Sequence, residues 1–264
     1  MQVLSVNGIR LHHAISGPDG GAPVVLAHSL GTDFRVWDRL VALLPPGLRI
    51  LRYDLRGHGL SAAPEGDYFM GDLVADAAAL MEATGFRQAA FVGLSIGGII
   101  AQGLAAERPD LVRIAVLSNT AAKIGTEDSW RARMAAVRAG GIEAVADQVM
   151  TAWFTRAFHS QRAEELAGWR AMVARQPRAG YLGCCAALAG TDLRESTPGL
   201  RQPVLVLAGD ADGSTPADLV RETAESIPGA RFALIRGAGH IPCVEQPEAM
   251  AAEIIRFLHH TGHT

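Results

Sequence analysis

The sequence predicts an α/β fold, a mostly parallel sheet flanked by helices and carrying a helical cap insertion. Three observations predict it. Short apolar runs alternate with stretches of helical spacing toward both ends of the chain, the pattern of repeated βα units. Between residues 121 and 198 the alternation stops, and helical spacing continues without a convincing strand. A serine flanked by glycines, Gly93-Leu94-Ser95-Ile96-Gly97, stands where an apolar run gives way to a helix. The expected division is a core in two parts, 1–120 and 199–264, with the cap over 121–198.

Each element has a local reason. Residues 3–6 and 10–16 form a hairpin about Asn7-Gly8, a dipeptide that accepts the positive φ of a two-residue turn. Residues 23–28 are a continuous apolar run, as expected of a strand buried on both faces. Helical spacing over 34–44 ends at Pro45-Pro46, which cannot continue a helix. The next strand is 49–54, and the helix over 68–84 is closed by Gly85. Residues 88–92 make the strand before the serine, 99–107 the helix after it, stopped near Pro109, and 112–117 a further strand. Cap helices are expected over 129–139, 142–153, 161–173 and near 181–188. Alternation resumes with a strand at 203–208, a helix at 216–226, a strand at 230–235 and a final helix at 247–259.

Composition narrows the function. Hydrophobic residues make up 49% of 264, enough for a large buried core. A formal charge of −3 leaves no basic stripe for nucleic acid and no polybasic patch for a membrane surface. No apolar run has the length of a membrane span, and the first residues lack the charged and apolar regions of a signal peptide. Nucleic acid and a membrane surface are therefore not expected partners. Cys184, Cys185 and Cys243 show no metal-ligand spacing and read as reduced thiols of a cytoplasmic protein. The histidine-rich end, residues 259–263, reads as a frayed polar tail.

The serine carries the chemistry. Glycines two before and two after it, between strand and helix, match a nucleophile elbow. There the serine adopts strained backbone that lifts its hydroxyl clear of the turn, and side chains at 93 and 97 would collide with the neighbouring strand and helix. The helix behind it points free N–H groups and its positive dipole end at the reacting carbonyl. A serine hydroxyl is a weak nucleophile until a histidine accepts its proton and an acid orients that histidine. His240, in a glycine-bounded loop directly after the last strand, is the expected base. Two acids follow the strand at 203–208. Asp212 reaches farther into the loop and is the expected partner of His240, while Asp210 is better placed to brace the turn. The amides of Leu30 and Ile96 are the expected oxyanion donors, and Ser29 stands in that loop where many relatives carry glycine. His28, Asp54, Arg56 and His58 are expected to hold loops rather than move protons.

Ser95, Asp212, His240, the His28 loop and the Asp54 loop together resemble the α/β-hydrolase superfamily over residues 1–120 and 199–264. The segments around His28, Ser95, the Cys184-Cys185-Ala186-Ala187 stretch, Asp212 and His240 are more closely similar to the 3-oxoadipate enol-lactonases of the β-ketoadipate pathway. That resemblance implies a small-molecule partner and acyl transfer on a lactone that bears a carboxylate, with no metal and no organic cofactor. A carboxylate calls for a cationic anchor. Trp130 and Arg133, three apart on an expected cap helix, share a face. Arg133 is the expected clamp, and Trp130 or Trp153 the wall of the ring site. A carboxylesterase, a C–C bond hydrolase, a perhydrolase or a hydrolase-derived ligand receptor remain the alternatives, because fold and triad do not set the substrate.

Overall fold

The computed structural model describes residues 1–264, and its first two strands form the expected hairpin. β1 (Gln2–Val6) and β2 (Ile9–Ser16) pair antiparallel about Asn7 and Gly8, whose φ values are 47° and 76°. β3 (Ala22–Ala27) is followed by a 3-10 turn, Phe34–Trp37, then α1 (Asp38–Leu43) and β4 (Leu48–Tyr53). One helix was expected over 34–44. It is divided because Asp33 accepts from Arg35 N and tightens the first turn. α2 (Met70–Thr84) ends at left-handed Gly85. β5 (Ala89–Leu94), α3 (Ile96–Glu107) and β6 (Val112–Ser118) follow, α3 beginning immediately after Ser95 rather than at residue 99.

Five helices stand between β6 and the next strand: α4 (Glu127–Gly140), α5 (Glu143–Trp153), α6 (Arg156–Gln161), α7 (Ala163–Ala174) and α8 (Arg178–Ala189). The expected helix over 161–173 begins later, at Ala163, and α6 is additional. A six-residue helix spans under two turns, too short to show periodicity. Its start is set by Thr155, whose hydroxyl accepts from Phe158 N. The chain then completes the core with β7 (Val204–Gly209), α9 (Ala217–Ser226), β8 (Arg231–Ile235), the short α10 (Pro242–Glu245) and α11 (Pro247–His260).

The sheet order is β1-β2-β4-β3-β5-β6-β7-β8, parallel from β4 onward. Every residue of β5 and β7 is buried, as expected where helices cover both faces. Because these strands run parallel in near register, their carboxyl ends lie along one edge. His28, Ser95, Asn119, Asp212 and His240 all follow strand ends there, where open α/β sheets place their sites. No helix is long and apolar enough to cross a membrane.

The expected frayed tail is a correction. His263 is buried, its ring nitrogen Nε2 lies 2.9 Å from the Pro23 carbonyl, and Arg113 donates to the carbonyls of Thr261 and Gly262. Gly262, at φ 62°, turns the chain back so that these contacts form.

Candidate active site

Ser95 occupies the turn between β5 and α3 with φ 58° and ψ −117°, a conformation that L-residues avoid. Its surroundings hold it there. Ser95 N donates to Ser118 O at 2.9 Å, and the Thr120 hydroxyl donates to Ser95 O at 2.7 Å. The glycine requirement is steric: a Cβ on Gly93 would stand 2.0 Å from Gly97 O, and one on Gly97 would stand 2.3 Å from Ala27 O. The sheet and α3 therefore meet closely on both sides of the serine. Ile96 is the first residue of α3, so its amide has no carbonyl four residues back within the helix.

His240 and Asp212 form a buried pair, Nδ1 to Oδ2, at 2.8 Å. Asp212 is surrounded by donors. Its Oδ2 also accepts from Asn119 Nδ2 at 2.9 Å and the Thr215 hydroxyl at 2.7 Å, and its Oδ1 from the amides of Ser214 and Thr215. Burial alone would raise this carboxyl, but His240, Asn119 and the Thr215 amide hold it below the usual carboxylate value. Asp210 does something else. Its Oδ1 accepts from Gly237 N and Ala238 N, tying the loop that leads to His240 back to the end of β7.

Asn119, Thr215 and Glu245 are the contributors that sequence reasoning missed. Asn119 follows β6 at the same sheet edge as Ser95, and that position was the available signal; its amide also donates to Gly239 O. Glu245 is buried on α10 and faces two ways. One oxygen accepts from Gly239 N at 2.6 Å, the other from Thr155 N at 3.1 Å and the Thr155 hydroxyl at 2.8 Å. Burial pushes its carboxyl above the ordinary value, and the donors from Gly239 and Thr155 offset only part of that. Nothing local in the sequence indicates that Thr155 of the cap is the second partner.

Two histidines shape the loop after β3. Leu55 N donates to His28 Nε2 and Gly31 N to His58 Nε2, each at 2.9 Å. The network assigns both protons to Nδ1, facing Ser29 O at 2.8 Å and Arg56 O at 3.2 Å. Burial pushes both rings down, His58 to about 3. They are neutral struts. Arg56 in turn holds Asp76 of α2 through two short bonds, fixing the His58 loop to the core.

A cavity of about 210 Å³ opens above Ser95 and His240. Leu30, Trp130, Arg133 and Trp153 line it, so the structure brings the expected cap residues to the same space as the serine and histidine. Arg133 lies over the Trp130 ring at 5.2 Å, and the Trp153 ring stacks on His240 at 6.3 Å. Tyr181 of α8 adds its phenol to the wall, pushed up to about 12 by burial against the pull of Arg133. Ile96 does not line the cavity itself. A larger cleft of about 530 Å³, between Phe34 and α7, contains neither Ser95 nor His240. No three His, Cys, Asp or Glu side chains gather as metal ligands, and the three cysteines are buried and free.

A strained serine at a strand–helix turn, beside a His–Asp pair on the same sheet edge, is the arrangement of an acyl-transferring site. The alpha/beta hydrolase fold family model matches residues 22–247. The chain belongs to this family. This α/β hydrolase is 34% identical over 246 residues to 3-oxoadipate enol-lactonase 2 of Acinetobacter baylyi, which covers 93% of this chain and 92% of that one. Its structure superposes on the crystal structure of the enol-lactonase from Burkholderia xenovorans with a TM-score of 0.95 at 37% identity, over 98% of this chain and 100% of that one. A thermophilic esterase from Thermogutta terrifontis is also similar, with a TM-score of 0.93 at 27% identity over the whole of both chains. The hydrolase fold is thus shared by a neighbour named as an enol-lactonase and one named as an esterase, and the cavity has to distinguish between them.

Proposed function

We propose that this protein is a serine hydrolase that opens an enol-lactone ring bearing a free carboxylate, with 3-oxoadipate enol-lactone as the substrate. The observation that carries the reading is Arg133, a cation with no carboxylate partner that opens onto the same cavity as Ser95 and His240. The likeness to two proteins named as enol-lactonases supports it. The reading puts the protein in aromatic-compound catabolism, and its three free cysteines fit a cytoplasmic setting.

Ser95 Oγ bonds to the lactone carbonyl carbon while His240 takes the hydroxyl proton, and Asp212 holds the resulting imidazolium. The carbonyl π pair moves onto oxygen, facing the amides of Leu30 and Ile96. Collapse restores the carbonyl and breaks the ring C–O bond. The departing enolate takes the proton from His240 and tautomerises to a ketone. Water, deprotonated by His240, then displaces Ser95 and frees the acid. A strained ring and a stabilised enolate make this easier than amide hydrolysis, so the chemistry calls for neither a metal nor an organic cofactor. Arg133 grips the substrate carboxylate, and Trp130 and Trp153 flank the ring.

The test compares a carboxylated enol-lactone with a neutral ester in wild type and Arg133→Ala. The expected result is a loss in kcat/KM of about 10- to 100-fold for the lactone, the range for a hydrogen bond to a charged group, and little change for the ester. Equal losses would assign Arg133 to the cap's packing and leave an esterase.

A further inference from the structure

Ser29 is a buried serine whose hydroxyl stands free at the wall of the cavity above Ser95. The residue is only 1% exposed, and it lines the cavity with Leu30 and Ser95. Its carbonyl accepts from His28 Nδ1 at 2.8 Å, the Thr32 hydroxyl at 2.9 Å and Thr32 N at 3.1 Å, so the peptide is held firmly. The side chain itself has no hydrogen-bond partner in the chain. Every other buried serine or threonine hydroxyl apart from Ser95 donates to one, Thr32, Thr120 and Thr215 beside the site among them. Among the buried serines and threonines, the two hydroxyls without partners are therefore Ser95 and Ser29, and both line the same cavity.

A buried polar group left without a partner is costly, and such groups cluster where a ligand completes them. Ser95 is completed by the acyl carbon. Ser29 is adjacent in sequence to Leu30, whose amide faces the developing oxyanion in the mechanism above. We propose that the Ser29 hydroxyl is a further catalytic group, a side-chain donor to the oxyanion alongside the Leu30 and Ile96 amides. As the Ser95 Oγ–carbon bond forms and the carbonyl pair moves onto oxygen, the Ser29 O–H donates a hydrogen bond and keeps its proton. On collapse the pair returns and the bond weakens. No bond at Ser29 is made or broken. A donor held in place before the reaction and aimed at charge that appears only in the transition state raises kcat rather than affinity. A glycine at this position would have no hydroxyl to donate. The inference rests on the acyl-transfer reading of the site and holds whichever acyl donor is used.

The test uses Ser29→Ala, Ser29→Gly and Ser29→Thr in the full chain, with thermal unfolding as a check on folding. Substrates are a carboxylated enol-lactone and p-nitrophenyl acetate, and phenylboronic acid serves as a tetrahedral mimic. Ala and Gly are expected to lower kcat about 10- to 100-fold on both substrates, with KM within about twofold. They should weaken phenylboronic acid by a similar factor, while Thr, which keeps the hydroxyl, retains most activity. Unchanged kcat in Ala and Gly would overturn the proposal, as would a loss carried by KM. If the wild type hydrolyses the ester and not the lactone, the lactonase reading falls and this inference stands. If it hydrolyses neither and forms no boronate adduct, both fall.

Discussion

The amide of His240 donates to the carbonyl of Trp153 at 2.7 Å, so the last turn of a cap helix holds the backbone of the histidine that pairs with Asp212. The Trp153 ring also stacks on the imidazole. One residue earlier, Ala152 O accepts from Gly213 N at 3.0 Å, beside Asp212. Two residues later, Thr155 meets Glu245. The cap segment 152–155 thus grips both loops of the acid–base pair, and cap and site behave as one body at this seam.

Glu245→Gln tests that seam. The amide keeps the volume but presents a donor to either the Gly239 or the Thr155 N–H, leaving one buried donor unpaired. Unfolding free energy should drop by about 1–3 kcal/mol. Turnover should drop as well, because Gly239 precedes His240. Urea unfolding and steady-state kinetics measure the two effects, and a variant unchanged in both would remove Glu245 from this account.

Ser95→Ala should fold as the wild type does and lose turnover by about 10⁴-fold or more. The hydroxyl makes no structural bond, so the melting temperature should hold. His240→Ala should cost a comparable amount, and the double variant no more than either alone. Wild-type turnover in Ser95→Ala would end the serine-hydrolase reading.

The aspartates separate in the same assay. Asp212→Asn loses the carboxylate that fixes the His240 tautomer, and kcat should fall by about 10⁴-fold. Asp210→Asn can still accept from Gly237 and Ala238 through its remaining carbonyl oxygen, so its effect should be small. The reverse ranking would reassign the acid.

Stability should fall in mild acid because of the buried histidines. His58 is pushed down to about 3 in the fold against 6.5 when unfolded, first by burial and then by His28. Between those values the unfolded chain binds a proton that the folded ring refuses. The stabilisation is therefore complete above pH 6.5 and lost as pH falls toward 3, with a slope of about 1.4 kcal/mol per pH unit per proton. His58→Gln should remove about one proton's worth of that slope between pH 6 and 4 in urea unfolding curves. An unaltered slope would mean that His58 is charged in the native protein.

The elbow was legible because its chemistry is local. Gly93, Ser95 and Gly97 answer to one turn, and the collisions they avoid, with Gly97 O and Ala27 O, lie a few residues away or on the adjoining strand. His240 and Asp212 were legible because each follows a strand end in a parallel sheet. The short helices α6 and α10 were not, since fewer than two turns carry no period. The docked tail was hidden for a different reason. The acceptor for His263 is Pro23, 240 residues away, and no local pattern encodes that distance.

By itself, the sequence determined the strand–helix alternation, the turn that strains Ser95 and the residue types able to do acyl transfer, because these depend on neighbours along the chain. Tertiary structure alone decided that Asn119 and Thr215 join the acid, that Glu245 bridges the cap to the histidine loop, and that Ser29 is left without a partner. Those outcomes depend on which buried donors find acceptors once β6, β7, α5 and α10 have packed. Hydrogen-bond pairing in a closed core is settled by three-dimensional proximity, and sequence separation carries little of that information.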